Sequence, residues 1–320
     1  MYFLTDEEKK RLLKDYLPRS REMTSTEELR GWNWHQPPLS SVYDQKLAIY
    51  EVANAYCSSS RDLYLRRVDG LKAGPNVAMI RGKVFHDILV QVLVRAKRLI
   101  YEKGVGGYRE ILQELGRQPE LSGQGETGNK WSELTLAVQP GQLSEEDYED
   151  LKKKAFLIAE FENARIISRL QEVLVKQPYI GVDSLVALTL PVVLEQKLDG
   201  SFLGLSSYLS ADAFTFSEPM ILDLKFGKPQ KFHRLATTGY AMVMESVYEF
   251  PVNIGCIVYA EFKGDRLLVQ KDMHIIDDEL RQWFVEERDE KMRMVYEELD
   301  PGLGNCYETC PYLIHCGGRV

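Results

Sequence analysis

The sequence lacks the features that mark membrane proteins, secreted proteins and nucleic-acid coat proteins. No apolar run reaches the roughly 18 residues that a membrane-spanning helix needs. The first residues, MYFLTDEEKKRLLKDYL, are charged within six positions and contain no apolar signal-peptide core. Lysine and arginine number 40 against 48 acidic residues, so a uniformly basic surface is excluded. We therefore expect a cytoplasmic protein that is not inserted in a membrane.

Cysteine is also scarce, with five residues in a chain of 320. An odd count without a secretion signal argues against a disulfide framework. Three of the five, Cys306, Cys310 and Cys316, lie within the last fifteen residues, which is not random usage. Cys256 stands alone in the apolar stretch NIGCIVYA and is predicted to be a buried thiol with no functional role.

The C-terminal cysteines have the spacing C-x3-C-x5-C, one thiolate short of a four-ligand site. Cys57 could supply the fourth ligand, and four cysteines suit either a 4Fe–4S cluster or structural Zn²⁺. Zinc ligands usually come as two close pairs, whereas Cys57 lies about 250 residues before the others, so the spacing favours the cluster. A link that closes so long a loop would stabilise the whole fold by restricting the unfolded chain.

Hydrophobic periodicity and turn residues predict helices at both ends of the chain and strands between them. A capping box at Thr5–Glu8 begins the first helix, and Ser144 caps another that runs to about residue 176. The other predicted elements are helices over 42–67, 77–104, 230–248 and 277–299, strands within 184–198, 201–216 and 219–227, and a hairpin over 252–276 that turns at Gly264-Asp265. Residues 104–143 are rich in glycine and are predicted to form a loop-rich insertion or a partly mobile region. The order predicts a mixed α/β sheet with helical additions at both ends.

The stretch PMILDLKFG carries an acid and a base in an otherwise apolar strand. Alternation places Asp223 and Lys225 on one face. Asp212 precedes Asp223 by eleven residues, and the short turn FSEPM would bring both carboxylates to one end of a hairpin. Glu195 is a third acid on the preceding strand-like segment. Such acids form either a structural ion pair with the lysine or a site for a divalent cation.

Other candidate residues are ambiguous when taken alone. His86 shares a helix face with Leu89 and Leu93, and a histidine on an apolar face is usually a hydrogen-bonded core residue. The basic segments at 61–67, 95–98 and 228–234 could contact nucleic acid, but such runs are usually solvated surface.

The order of these residues resembles the RecB-like nuclease family, a branch of the restriction-endonuclease-like fold. The matching positions are His86, Asp212, the triplet Asp223-Leu224-Lys225, and Tyr240 on the following helix. The resemblance implies that Asp212, Asp223 and the Leu224 carbonyl hold Mn²⁺ or Mg²⁺, with His86 as a further ligand. It implies that Lys225 orients or activates the attacking water and stabilises charge on the phosphate, and that Tyr240 positions DNA.

The cysteines extend this resemblance. Cys57, followed by Arg61 and Tyr64-Leu65, together with the C-terminal triplet, is similar to the iron–sulfur RecB-like nucleases. The most similar group is the CRISPR-associated exonucleases of the "Cas-four" type, in particular their archaeal subtype I-A branch, sometimes called "Csa-one". The resemblance covers residues from about 50 to 320. It implies a 4Fe–4S cluster on Cys57, Cys306, Cys310 and Cys316.

The family further implies exonuclease action on single-stranded or end-frayed DNA during the trimming of new spacer precursors. The implied partners are this DNA, the CRISPR integrase and other adaptation proteins, and a homo-oligomer is also compatible with the sequence. Under this resemblance the chain comprises an N-terminal helical region with one cluster cysteine (1–76), a helical region with the histidine helix and the glycine-rich insertion (77–180), the sheet core (181–275), and a C-terminal helix with the iron–sulfur segment (276–320). The expected fold is a restriction-endonuclease-like mixed sheet flanked by helices.

Two positions depart from the family pattern. Leu209 stands where a glycine commonly precedes the first acid, and Ala236 replaces the glutamine four residues before Tyr240. His233, Arg234 or Thr237 could stand in for that glutamine. The alternative interpretation is therefore a catalytically weak DNA-binding scaffold of the CRISPR adaptation complex. A third is a zinc- or cluster-stabilised DNA-binding protein whose acids are structural.

Overall fold

The computed structural model describes residues 1–23, 25–122, 133–139, 141–307 and 309–317. The helices are α1 (Asp6–Arg11), α2 (Leu17–Glu22), α3 (Ile49–Ala53), α4 (Arg61–Arg67), α5 (Val77–Lys103), α6 (Tyr108–Gly116), α7 (Glu145–Lys176), α8 (Val182–Thr189), α9 (Arg234–Tyr248) and α10 (Asp278–Tyr296). The strands are β1 (Glu120–Ser122), β2 (Glu133–Thr135), β3 (Val193–Leu198), β4 (Leu209–Thr215), β5 (Met220–Lys225), β6 (Ile254–Lys263) and β7 (Arg266–Ile275).

The chain divides into two compact units. The first contains residue 1 with 77–192 and 260–269, and the second contains 2–76, 193–259 and 270–320. No helix in the described part of the chain is long and apolar enough to cross a lipid bilayer.

The first unit is built on α5 and α7, which pack along each other. Apolar residues at helical spacing form the buried face of α5: Ile88, Leu89, Val92, Ala96 and Leu99. The Ser144 side chain accepts a hydrogen bond from the Asp147 amide, which fixes the start of α7. Both helices are confirmed where the sequence predicts them.

The second unit contains a five-stranded mixed sheet in the order β3-β4-β5-β6-β7. β3, β4 and β5 are antiparallel neighbours, whereas β5 and β6 are parallel and are joined through α9. The mixed α/β sheet and the β6–β7 hairpin turn at Gly264-Asp265 are therefore confirmed. The tip of this hairpin, residues 260–269, belongs to the first unit.

Close approaches at two glycines fix the packing of neighbouring elements in the second unit. A Cβ added to Gly239 on α9 would lie 2.4 Å from the Phe284 ring of α10. A Cβ added to Gly255 on β6 would lie 2.5 Å from His274 on β7. Any larger residue at either position would displace packed side chains, so both glycines are required by packing.

A fully buried ion network holds α9, α10 and the N-terminal segment together. Glu245 accepts five hydrogen bonds: from Arg281 Nη1 and Nη2 at 2.7 and 2.9 Å, from Arg30 Nη1 at 2.8 Å, and from the Val252 and Gly31 amides at 3.0 Å. The side chains of Glu245 and Arg281 are 0% exposed. Because each carboxylate oxygen is fully satisfied, we interpret this network as structural.

Two local predictions were wrong, and a third region contains more regular structure than its glycine content indicated. Residues 42–67 form two short helices, α3 and α4, and Cys57 lies between them, since Ser60 with φ 58° starts α4 from a left-handed conformation. Part of the strand predicted over 184–198 is the helix α8, because Leu185, Val186 and Thr189 bury one helical face. The glycine-rich segment 104–143 contains the nine-residue helix α6 and the short parallel pair β1–β2, and the part over 123–132 lies outside the described residues.

Candidate active site

The β4–β5 hairpin brings two carboxylates together. The register pairs Ala213 with Leu222, so that Asp212 and Asp223 occupy the next facing positions. The Leu224 amide donates a hydrogen bond of 2.9 Å to Asp212 Oδ2. Directly facing residues of an antiparallel pair lie on the same face, so the two acids share one side of the sheet.

Lys225 is ion-paired beside these acids. Its Nζ lies 2.8 Å from Asp223 Oδ2; the Asp223 side chain is 7% exposed and that of Lys225 is 33% exposed. Burial alone would lower the pKa of Lys225, but the charges of Asp223 and Asp212 outweigh it and raise that pKa. The result is a charged ammonium held between two acids and solvent.

Tyr240 on α9 belongs to the same electrostatic neighbourhood. Burial raises the pKa of its phenol, and the charges of Asp212 and Asp223 raise it further. The phenol therefore keeps its proton at neutral pH and can act as a hydrogen-bond donor next to the carboxylates.

The remaining candidates occupy different surroundings. Leu224 lies between Asp223 and Lys225 on β5, as the triplet requires. His86 lies on α5 in the first unit, where it is half-buried. Glu195 on β3 is exposed and adopts a left-handed backbone with φ 47°, which interrupts the pairing of β3 with β4 between Leu194 and Gln196.

The three possible stand-ins for the missing glutamine differ in what they contact. Arg234 forms a two-pronged ion pair with Asp272 at 2.8 Å, and Thr237 bonds the Arg234 carbonyl and the His274 ring. Both are thus engaged in the scaffold around α9. His233 is the one of the three whose charge state responds to the site, because burial and then Lys225 lower its pKa to about 4.

His233 is the centre of a hydrogen-bonded chain that the sequence did not reveal. Its Nε2 lies 3.0 Å from the Tyr56 hydroxyl and its Nδ1 lies 3.0 Å from the Tyr259 hydroxyl. Tyr259 donates to the Gln230 carbonyl at 3.5 Å, so a neutral His233 donates from Nδ1 to Tyr259 and accepts from Tyr56. Tyr56 and His233 are 177 residues apart, and no local pattern could have predicted their contact.

The four predicted cluster cysteines all belong to the second unit. Cys57 precedes α4, and the other three lie in the irregular C-terminal segment that follows α10. Cys316 is buried with Leu65 and Tyr312, and Cys306 and Cys310 pack against this small apolar cluster.

The thiols influence one another's protonation. Burial raises the pKa of Cys310, and the charge of Cys57 adds to the effect. Burial also raises the pKa of Cys316; Arg61, whose Nη1 lies 3.9 Å from the sulfur, opposes this, while Cys306 and Cys57 reinforce it. Thiolates gathered in this way repel one another unless a cation is bound among them. Cys256, as predicted, is a buried thiol, and burial raises its pKa to about 12.

Within the described residues, no three side chains of His, Cys, Asp and Glu are arranged so that they could hold a metal ion. The donor chemistry nevertheless fits in both places. Two facing carboxylates suit an oxygen-seeking divalent ion, and neighbouring thiols suit zinc or an iron–sulfur cluster.

Comparison with known proteins identifies the family. The sequence profile of a family described as CRISPR-associated exonuclease Csa1 matches residues 1–116 and 122–319. A CRISPR-associated exonuclease Csa1 of Saccharolobus solfataricus is 29% identical over 296 residues, which is 91% of each chain. Another protein of that name, from Thermoproteus tenax, is 28% identical over 290 residues, or 90% of each chain. No solved structure matches this chain. The match over nearly the whole length shows that the chain belongs to the Csa1 family of CRISPR-associated exonucleases.

Proposed function

We propose that this protein is a divalent-metal-dependent deoxyribonuclease with a restriction-endonuclease-like core. It removes nucleotides from single-stranded or end-frayed DNA in the cytoplasm, during processing of spacer precursors with the CRISPR integrase and other adaptation proteins. The observation that carries the proposal is the facing pair Asp212 and Asp223 with Lys225 ion-paired beside them. The exonuclease name of its relatives gives independent support.

Each residue has a role in this chemistry. Asp212, Asp223 and the Leu224 carbonyl would hold Mn²⁺ or Mg²⁺. His86 as a further ligand stays a prediction from the family resemblance. The ion, when bound, supplies a Lewis acid that polarises the scissile phosphate. Lys225, kept charged by the two acids, holds a water through its ammonium hydrogens and offsets negative charge on the phosphate. Tyr240 stays protonated, so its hydroxyl can donate a hydrogen bond that orients the DNA strand.

The test is a cleavage assay on end-labelled single-stranded DNA with added Mn²⁺. Wild-type protein should shorten the strand progressively, whereas Asp223→Ala should bind the same DNA and leave it intact. Asp199→Ala, which removes an exposed acid that follows β3, should cleave like the wild type. If the wild type binds DNA but does not shorten it, the scaffold interpretation replaces the nuclease. If Asp223→Ala still cleaves, the assignment of the carboxylates is wrong.

We further propose that Cys57, Cys306, Cys310 and Cys316 hold a structural 4Fe–4S cluster. Cys306, Cys310 and Cys316 lie together around Leu65 and Tyr312, and Cys57 acts on the pKa of Cys310 and Cys316; both observations support the cluster. The protein should be brown, with broad visible absorbance and measurable iron, and Cys57→Ser should lose both and unfold at lower temperature. Zinc without iron would select the zinc alternative, and an unchanged spectrum in Cys57→Ser would remove Cys57 from the ligand set. Cys256→Ser is the matched control, because that thiol is buried elsewhere.

A further inference from the structure

The segment between β5 and α9 places positive charge and aromatic rings next to Lys225. Residues 224–234, LKFGKPQKFHR, carry four lysines and arginines and no acid. Lys225 and Arg234 are paired with acids. Lys228 and Lys231 are exposed, and neither forms an ion pair with any residue in the described ranges. Two solvent-facing ammonium groups thus follow directly on the proposed catalytic strand.

Tyr56 lies against this segment with part of its side chain open to solvent. Its ring centroid is 5.0 Å from that of Phe232 in an edge-on arrangement, and 5.8 Å from that of Tyr307. The residue is nevertheless 50% exposed. An aromatic ring that is backed by other rings and still half-exposed offers a flat apolar surface to a ligand.

The orientation of the Tyr56 ring is fixed by the hydrogen-bonded chain through His233. The Tyr56 hydroxyl donates to His233, which in turn is bonded to Tyr259. Tyr259 pairs with Lys225 in the parallel register of β5 and β6, so both lie on one face of the sheet. The hydrogen bonds from Tyr56 through His233 to Tyr259 therefore hold the Tyr56 ring near Lys225. Lys225 and Asp223 also act electrostatically on the Tyr56 phenol, which is consistent with this proximity.

We infer that the exposed face of Tyr56, backed by Phe232, is a stacking subsite for one nucleobase of a single strand whose phosphates run past Lys228 and Lys231 toward Lys225. This rests on the proposed nuclease function for its substrate class. A base-stacking ring combined with a line of ammonium groups is how proteins hold single-stranded nucleic acid without reading its sequence. A blunt duplex offers no unstacked base to the ring, so the subsite would select frayed ends.

The test measures DNA binding in EDTA, so that no divalent ion supports cleavage. Full-length protein is titrated with a single-stranded oligonucleotide, with the same strand carrying one abasic site at successive positions, and with a blunt duplex. Tyr56→Ala should bind the intact single strand about tenfold more weakly, within the range for one stacked base. In the wild type one abasic position should cost a similar factor, and in Tyr56→Ala that position should cost nothing further. The affinity of Tyr56→Ala for the blunt duplex should stay within about twofold of the wild-type value.

Two variants keep the result interpretable. Tyr56→Phe keeps the stacking ring but loses the hydroxyl bond to His233 that orients it, so its affinity should fall between those of wild type and Tyr56→Ala, and the same abasic position should remain sensitive. Tyr296→Ala removes a tyrosine that is similarly exposed and also packed on a neighbouring ring, that of Tyr43, and should leave binding unchanged. The subsite would be overturned if the abasic strand lost as much affinity for Tyr56→Ala as for the wild type. It would also be overturned if folded Tyr56→Ala bound the intact single strand within twofold of the wild-type affinity. Absence of Mn²⁺-dependent cleavage by the wild type would instead reject the nuclease, and it would leave this binding result to be judged separately.

Discussion

Two buried charge clusters in the second unit differ in a way that separates scaffold from chemistry. Around Glu245, every carboxylate bond goes to protein donors, and the side chains of Glu245 and Arg281 are inaccessible to solvent. Around Asp223, a second carboxylate faces the first, and the lysine that pairs with it is one-third exposed. A network that is closed to solvent and bonded to protein donors holds elements together, whereas two acids beside a lysine that solvent can reach lie where a ligand can approach.

The largest expected effect comes from breaking the saturated cluster. Glu245→Ala would leave Arg281 buried without its partner, so the free energy of unfolding should fall by about 3–5 kcal/mol. Chemical denaturation measures this change. The protein that remains folded should still cleave DNA at the wild-type rate. If Glu245→Ala lost cleavage but kept its stability, Glu245 would belong to the catalytic chemistry, and the two clusters would not differ in role.

Replacing Lys225 in the Asp223 cluster should reduce cleavage strongly and stability only slightly. Lys225→Met should lower the rate of DNA cleavage about 100-fold, because the charge that offsets the phosphate is lost. Its free energy of unfolding should fall by only about 1 kcal/mol, because the Lys225 side chain is one-third exposed and water can solvate Asp223 in its place. Single-turnover kinetics and denaturation, run side by side, check both numbers. Lys46→Met is the matched control, because Lys46 is exposed and lies outside the proposed site, and it should leave the rate of cleavage unchanged.

A milder change sharpens the account of the Glu245 cluster. Arg30→Met removes bonds of 2.8 Å to Glu245 and 2.6 Å to Asn253, but it leaves the two-pronged contact with Arg281 intact. The free energy of unfolding should therefore fall by about 1–2 kcal/mol, less than in Glu245→Ala. Equal losses in the two variants would mean that Arg281 alone cannot satisfy the carboxylate.

The smallest effect is a pH dependence of the scaffold near the same helix. Burial, followed by Arg234, lowers the pKa of His274 to about 4 from its ordinary value of 6.5, against the opposing influence of the Asp272 carbonyl. The folded state thus binds fewer protons than the unfolded chain, and the stability from His274 is present above pH 6.5 and lost as pH falls to about 4. Melting temperatures should decline more steeply over this interval in wild type than in His274→Gln. Equal slopes would exclude His274 as the cause.

Local sequence signals predicted much of the fold. The capping residues Thr5 and Ser144 start helices where expected, because each satisfies an amide that has no partner within its own helix. Alternation and a short turn predicted the hairpin of β4 and β5, in which Ala213 pairs with Leu222. The region 184–192 was misassigned because a short apolar run fits a strand or a buried helix equally well.

The contacts that distinguish the two clusters could not be predicted locally. Glu245, Arg281 and Arg30 belong to three distant segments, and each has the sequence context of an ordinary surface charge. The chain from Tyr56 to His233 likewise depends on how α9 follows β5. Such contacts form only when the sheet has assembled, so they cannot be predicted from residue spacing along the sequence.

The most direct test of the central claim is Mn²⁺ binding, measured by electron paramagnetic resonance on purified protein with Asp223→Asn and Asp199→Asn beside the wild type. The account predicts a Mn²⁺ site in the wild type and in Asp199→Asn, and an affinity weaker by about tenfold or more in Asp223→Asn. Equal affinity in all three proteins would show that the facing carboxylates do not hold the ion.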